Sequence, residues 1–476
     1  MATAPTADPK SQLRREMRFW DVLLFNIAAI LGPRWIALAA YNGTNSVTLW
    51  ILAALFFFVP SAFIVSELSS RFPAEGGVYV WTKEAFGDFH GFVAGWCYWI
   101  YTVFYFPSLL MASISMSAYV AGSAGAGLSS NRPFLVIGSL VLLAIAVSLN
   151  IVGLKVGKWL QNAGGIGTYV PLLLLLGVAG FVLARHGSLT HFTLSDMLPG
   201  HVDLGKVNFW SSIAFGFAGF ELVAFMSEEI HEPRRVIPRA IFGSGILIAI
   251  IYLLGTMSVL VMVPSADVNT TAGVFQALTQ GSRVLGVAVI GVIAAILVTV
   301  GNAGGVGTTV AGVARIPFVV GIDRYMPAAF GRIHPRWRTP YVAMLVQAVL
   351  SGIILVAFQW RESTAGAYQI LIDATVILNF IPYLYMFSAV IRLAYRSDRG
   401  QNPQALLIPG GKAGAWIAGL LAGGVTLLSI IVAMIPPSNI ENKGLFEFKL
   451  VGSTVLAVII GLTMYWRGAR QKAVSA

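Results

Sequence analysis

The sequence predicts an all-α integral membrane protein of twelve transmembrane helices, and three observations carry that prediction. Only 11% of its 476 residues are charged and 57% are hydrophobic, whereas a soluble domain carries about a quarter charged residues. Apolar runs of about 20 residues, enough to cross a bilayer as helix, recur along the chain. The basic residues gather in alternate loops between those runs. Backbone groups cannot face lipid unpaired, so the runs must be helical; barrel strands would alternate over about ten residues, and none do. The 50 glycines suit close-packed membrane helices.

In chain order the spans are expected near 20–41, 46–70, 90–121, 134–152, 159–184, 208–230, 239–263, 284–310, 340–359, 366–394, 414–435 and 448–466. With the N-terminus inside, about 23 Lys and Arg fall on the cytoplasmic side against about 7 outside. Both termini are therefore expected in the cytoplasm of a cell-membrane protein, with residues 1–18 and 468–476 as tails. The formal charge of +11 thus reads as a topology signal and not as a nucleic-acid footprint. The polar stretch Met1–Gln12 lacks the apolar core of a cleaved signal peptide. Cys97, the single cysteine, excludes an intrachain disulfide. No nucleophile–base pair, phosphate-cradling loop or cofactor fingerprint is present, so a carrier is expected and not an enzyme, with no cofactor. The lipid bilayer and a small solute are the expected partners; the oligomeric state is not legible.

Weak internal symmetry suggests how the spans are organised. Phe19-Trp20 opens the first span and Phe209-Trp210 the sixth; Pro171 lies within the fifth and Pro382 within the tenth. Matched interruptions in two five-helix halves point to inverted repeats with the binding site at the breaks. A ten-helix core over 19–394 is expected, with repeats of about 19–184 and 208–394, followed by helices 11 and 12 within 395–467.

The first span runs Ala28-Ala29-Ile30-Leu31-Gly32-Pro33-Arg34-Trp35. Proline removes a donor and glycine tolerates non-helical angles, so this helix is expected to break at membrane depth. Its exposed peptide dipoles would face a cavity and bind a small charged solute. Arg34 is the one basic residue within a span and costs at least about 2.5 kcal/mol there. It reads as a clamp on a carboxylate, as a fixed cation replacing a coupling ion, or as the partner of an acid such as Glu221.

The sixth span reads Phe215-Gly216-Phe217-Ala218-Gly219-Phe220-Glu221. Gly216 and Gly219 permit unwinding, the phenylalanines offer flat surfaces to close over a solute, and Glu221 is a candidate for proton coupling or ammonium contact. Asp373 reads as a gate or a pairing residue, and Tyr105 and Asn302 as path-lining candidates. Three outside histidines, His186, His191 and His201, lack zinc-site spacing.

Several segments together resemble the amino acid–polyamine–organocation superfamily of permeases. Glu67-Leu68-Ser69-Ser70-Arg71-Phe72-Pro73-Ala74-Glu75-Gly76-Gly77-Val78-Tyr79 is similar to that family's loop after the second helix. Gly219-Phe220-Glu221 with Glu228-Glu229 and Glu232-Pro233-Arg234-Arg235 resembles its sixth-helix signature. Asp323-Arg324-Tyr325-Met326-Pro327 through His334-Pro335 to Thr339-Pro340 resembles its loop after the eighth helix.

That resemblance implies a leucine-transporter fold, with helices 1 and 6 broken, and amino-acid transport by alternating access, by proton or sodium symport or by exchange. By position, a substrate carboxylate would meet N–H groups around Gly32 to Trp35. Its ammonium would meet carbonyls around Ala28 to Ile30 and Phe215 to Ala218. Phe215 stands at the aromatic gate and Glu221 at the often protonatable glutamate. The chain departs from the pattern where Pro33, Arg34 and Trp35 replace small and apolar residues. The fifth-helix position that holds a lysine in some proton-coupled members falls on Thr168. Either sodium binds, with Thr308 or Thr309, or Arg34 supplies the charge. A zwitterionic or anionic substrate is expected; the alternatives are a polyamine or cationic amino acid exchanger and a non-transporting sensor.

Overall fold

A computed structural model of the protein describes residues 17–73, 76–152, 154–198, 208–313, 325–337, 339–403, 405–437 and 440–475. Predictions that fall on residues 1–16, 74–75, 201 and 314–324, and on the side chains of Glu228, Glu229 and Thr308, lie outside the described residues.

Helices α1 (Phe19–Ile30) and α2 (Pro33–Asn42) form the first span, and α3 (Ser46–Ala53) with α4 (Val59–Arg71) the second. Then come α5 (Val78–Phe86), α6 (Asp88–Ser117), α7 (Arg132–Val152), α8 (Leu154–His186) and the single turn α9 (Leu194–Met197). The second half holds α10 (Phe209–Phe215), α11 (Pro233–Met262), α12 (Gly273–Val284) and α13 (Val289–Val313). It closes with α14 (Tyr341–Phe358), α15 (Thr364–Leu393), α16 (Gly411–Ala433) and α17 (Lys443–Ser475).

Among the described residues nine helical segments are long and apolar enough to cross a membrane, and α1 with α2 makes a tenth. Shorter apolar helices, Phe209–Phe225 and Val289–Asn302, stand where the sequence predicts the sixth and eighth spans. The chain is an all-helical protein with nine or ten candidate spans. Helices α6 and α15 lie mostly buried at the centre. Around them α7, α14 and α17 turn Ile137, Val349 and Phe448 outward, as a surface bathed in lipid tails requires. Cys97 is buried on α6.

The predicted break of the first span is present. Leu31 and Gly32 are extended, and α1 and α2 meet at 45°. Pro33 explains both facts: it disfavours helical angles at the residue before it, and it suits the first position of a new helix, where its missing N–H has no partner to lose. The sixth span breaks too. Helix α10 stops at Phe215, and Gly219 takes φ 116°, a left-handed angle that glycine alone adopts cheaply. Residues Phe220–Glu229 continue as a tighter 3₁₀ helix. Pro171 and Pro382, by contrast, interrupt nothing: α8 and α15 run through them. One proline removes a single backbone bond, which a neighbouring helix or a local adjustment absorbs.

Two packing features fix the frame. Where α8 crosses α13, Gly167 and Gly301 bring the backbones together, so that a Cβ on Gly167 would sit 2.2 Å from the Leu297 carbonyl oxygen and 2.5 Å from Gly301 Cα. At the end of α4, the fully buried Glu67 accepts from Arg71 Nη1 at 3.1 Å, from Arg399 Nε and Nη2 at 2.9 Å each, and from the Ile408 amide at 2.9 Å. Arg71 also donates to Asp398 and to the Leu393 carbonyl. The second span is thereby bolted to the segment after α15.

Candidate functional site

A cavity of about 50 Å³ opens at the first break. Residues 28–35 form one wall, so Ala28, Ala29, Ile30, Gly32, Pro33, Arg34 and Trp35 all face it. Helix α6 contributes Tyr105, Leu109, Ala112, Ser113 and Met116. Thr168 of α8 and Gly301, Asn302, Gly305 and Thr309 of α13 complete it. The space holds about three to five waters at roughly 10–15 Å³ each. The break, the aromatic of the third span and the predicted coupling positions Thr168 and Thr309 are thus brought together.

The sixth-span half of the predicted site does not line this cavity. Phe215, Gly216, Phe217, Ala218 and Gly219 are not among the cavity-lining residues. Phe215 packs edge-on against Trp35, with ring centres 5.3 Å apart, and against Phe380. Phe217 and Phe220 are buried among Trp50, Phe58, Tyr252 and Tyr383. In this structure those rings meet aromatic side chains of other segments.

The tie between the two breaks is a residue the sequence did not single out. The Tyr252 hydroxyl of α11 lies 2.7 Å from the Ile30 carbonyl oxygen and 3.0 Å from that of Gly216. It also accepts from the Gly32 amide at 3.4 Å. A phenol has one proton, so it can donate to only one of those carbonyls at a time. Both carbonyls had been expected to face an ammonium group. Replacing Tyr252 with Phe takes the donor from one of these buried carbonyls and the acceptor from the Gly32 amide, at about 1–3 kcal/mol, and a lowered midpoint of thermal unfolding in detergent is the expected reading. An unchanged midpoint would show that the tie is dispensable.

Arg34 is 97% buried, with 3% of its surface exposed. Its guanidinium carbon lies 4.3 Å from the Trp35 ring centre and 4.6 Å from that of Tyr105, so two aromatic faces hold it. Nη1 donates to Ser108 Oγ at 3.2 Å, while Nη2 has no partner among the described residues. The Arg34–Glu221 pair weighed from sequence does not form. Glu221 accepts instead from Tyr98 Oη at 2.5 Å, from Tyr383 Oη, and from the Gly219 amide at 3.2 Å. Its tyrosine partners come from α6 and α15.

Asp373 also lies away from the cavity. It accepts from Asn208 Nδ2 at 3.2 Å and Gln369 Nε2 at 3.0 Å, and Asn208 Nδ2 further reaches the carbonyls of Val432, Ala433 and Ile435. This network joins the start of α10 to α15 and the end of α16. Among the described residues no cluster of His, Cys, Asp or Glu could hold a metal ion.

With this geometry in view, the family assignment is direct. The model of the family described as amino acid permease matches residues 17–462. The chain belongs to that family, within the amino acid–polyamine–organocation superfamily. It is therefore a multi-pass membrane transporter and not an enzyme. It is 28% identical to an uncharacterized transporter of Legionella pneumophila, over 94% of this chain and 96% of the relative. A probable agmatine/putrescine antiporter, AguD of Lactococcus lactis, is 27% identical over 55% of this permease and 54% of its own length. The serine/threonine exchanger SteT of Bacillus subtilis is 24% identical, covering 81% of this permease and 84% of its own length.

Proposed function

We propose that this permease is a secondary active transporter that carries amino acids across the cytoplasmic membrane by alternating access, driven by an ion gradient or by exchange, with zwitterionic or anionic substrates favoured. Its twelve helices would comprise two inverted repeats, about 19–184 and 208–394, plus two final helices, with both termini cytoplasmic. One observation carries the reading: two spans break side by side, and the cavity at the first break holds a buried guanidinium with an unused donor. A carrier needs a site that both faces can reach in turn, and interrupted helices provide backbone dipoles and hinges at that depth.

A polyamine or cationic amino acid exchanger is the second reading, favoured by the similarity to AguD. It needs a carboxylate at the site. Glu221 and Asp373 are the candidates, and both are already engaged by tyrosines or amides outside the cavity lining. Uptake by purified protein in liposomes separates these readings. Labelled neutral or acidic amino acids should accumulate, with and without sodium and with a pH step to identify the driving ion. Accumulation of arginine or putrescine in preference would favour the exchanger. Binding without accumulation of any label would mean a sensor.

A further inference from the structure

We propose that the substrate carries a single net negative charge, as an amino acid with an acidic side chain does, and that Arg34 receives one of its carboxylates with no sodium ion in the cavity. This rests on the transport reading and narrows it.

The argument begins with the charge balance of the cavity. Among the described lining residues Arg34 is the sole charged group. Among the described residues nothing else in the wall neutralises it, since Glu221 and Asp373 stand outside the lining. A buried charge in a low-dielectric surround is stable only when paired. A zwitterion would leave the cavity with a positive charge, a cationic substrate would double it, and a monoanion closes it. Sodium beside Thr168 and Thr309 would share the cavity with a guanidinium, where like charges repel.

The donors point the same way. At the first break Pro33 has no N–H, the Trp35 amide donates to the Gly32 carbonyl at 3.0 Å, and the Gly32 amide turns toward Tyr252. The start of α2 therefore has little left to offer a carboxylate, and recognition passes to the side chain. The guanidinium is already oriented: Trp35 and Tyr105 hold its faces and Ser108 takes Nη1. Nη2 is left without a partner. A carboxylate oxygen can occupy that donor, whereas an ammonium group cannot.

The test is binding to the purified full-length protein in sodium-free potassium buffer, read by ligand-induced thermal shift. The probes are L-glutamate, L-aspartate, L-serine, L-leucine and L-arginine. Glutamate or aspartate should bind about 10-fold tighter than serine, the scale of a hydrogen-bonded charge pair. Arg34→Met should weaken glutamate and aspartate about 10-fold more than serine, and Arg34→Lys should keep part of the preference. If Arg34→Met does not fold, the wild-type panel and Arg34→Lys decide. Serine or arginine binding as tightly as the acids, or acid binding that requires sodium, overturns the proposal. Acids that bind but never accumulate in liposomes would refute the carrier reading and leave this inference standing. Serine accumulation without acid binding would do the reverse.

Discussion

Gly167→Val and Gly301→Val should each abolish transport and sharply reduce the yield of monodisperse protein, while Gly177→Val on the same helix α8 changes neither. The contrast follows from what each new Cβ would meet. At Gly167 and Gly301 the nearest obstacles are backbone atoms of the partner helix, at 2.2 Å and 2.6 Å respectively, which no side-chain rotation can relieve. At Gly177 nothing lies within 4 Å. Membrane helices have no hydrophobic drive to stay together and rely on this kind of contact. Overpacking costs about 1–3 kcal/mol where side chains can yield, and a backbone clash exceeds that. The functional loss has a separate origin. Thr168 and Asn302 directly follow the two glycines in sequence, so parting the helices there moves two cavity walls at once. Gel filtration of the purified variants and uptake in liposomes check both halves. Full activity in Gly301→Val would mean that α8 and α13 are not in contact at this crossing.

The second large effect is expected at Glu67. Glu67→Ala should destabilise the protein by about 3–5 kcal/mol, the cost of leaving buried charge uncompensated. The side chains of Arg71 and Arg399 are only 5% and 9% exposed, so neither can recover its lost partner from water. The Ile408 amide loses its acceptor as well. Glu67→Gln keeps the shape and one acceptor but not the charge, and should fall between wild type and Ala. Thermal unfolding in detergent measures the order. Equal midpoints for all three would show that the cluster contributes nothing to holding the second span against the segment after α15.

Much of this was legible in the sequence. The Gly32-Pro33 and Gly216–Gly219 breaks could be read because proline and glycine act locally, through their own backbone angles, whatever surrounds them. Arg34 stood out because a cation amid apolar residues is costly in any fold. What escaped was the part set by packing between distant segments. Nothing in the neighbourhood of Tyr252 distinguishes it from other membrane tyrosines, yet its hydroxyl joins carbonyls 222 and 36 residues away in sequence. The sixth-span phenylalanines read as flat surfaces for a solute, and position along a span does not reveal which aromatic side chains of other segments pack against them. Glu221 drew attention for its charge, but its tyrosine partners lie on α6 and α15, and spacing alone could not pair them. Thr168 and Thr309 entered by positional analogy, and both line the cavity; the side chain of Thr308 lies outside the described residues.

Cys97 has a practical consequence. It is the sole thiol in the chain and is shut inside the bundle on α6. A water-borne maleimide should therefore leave the native protein unmodified. A cysteine placed at Ser113 or Thr309 then becomes the one reactive handle, with no need to build a thiol-free parent. Reagent applied to either side of a sealed vesicle would report which face of the bilayer the cavity opens toward, and whether a bound solute reverses it.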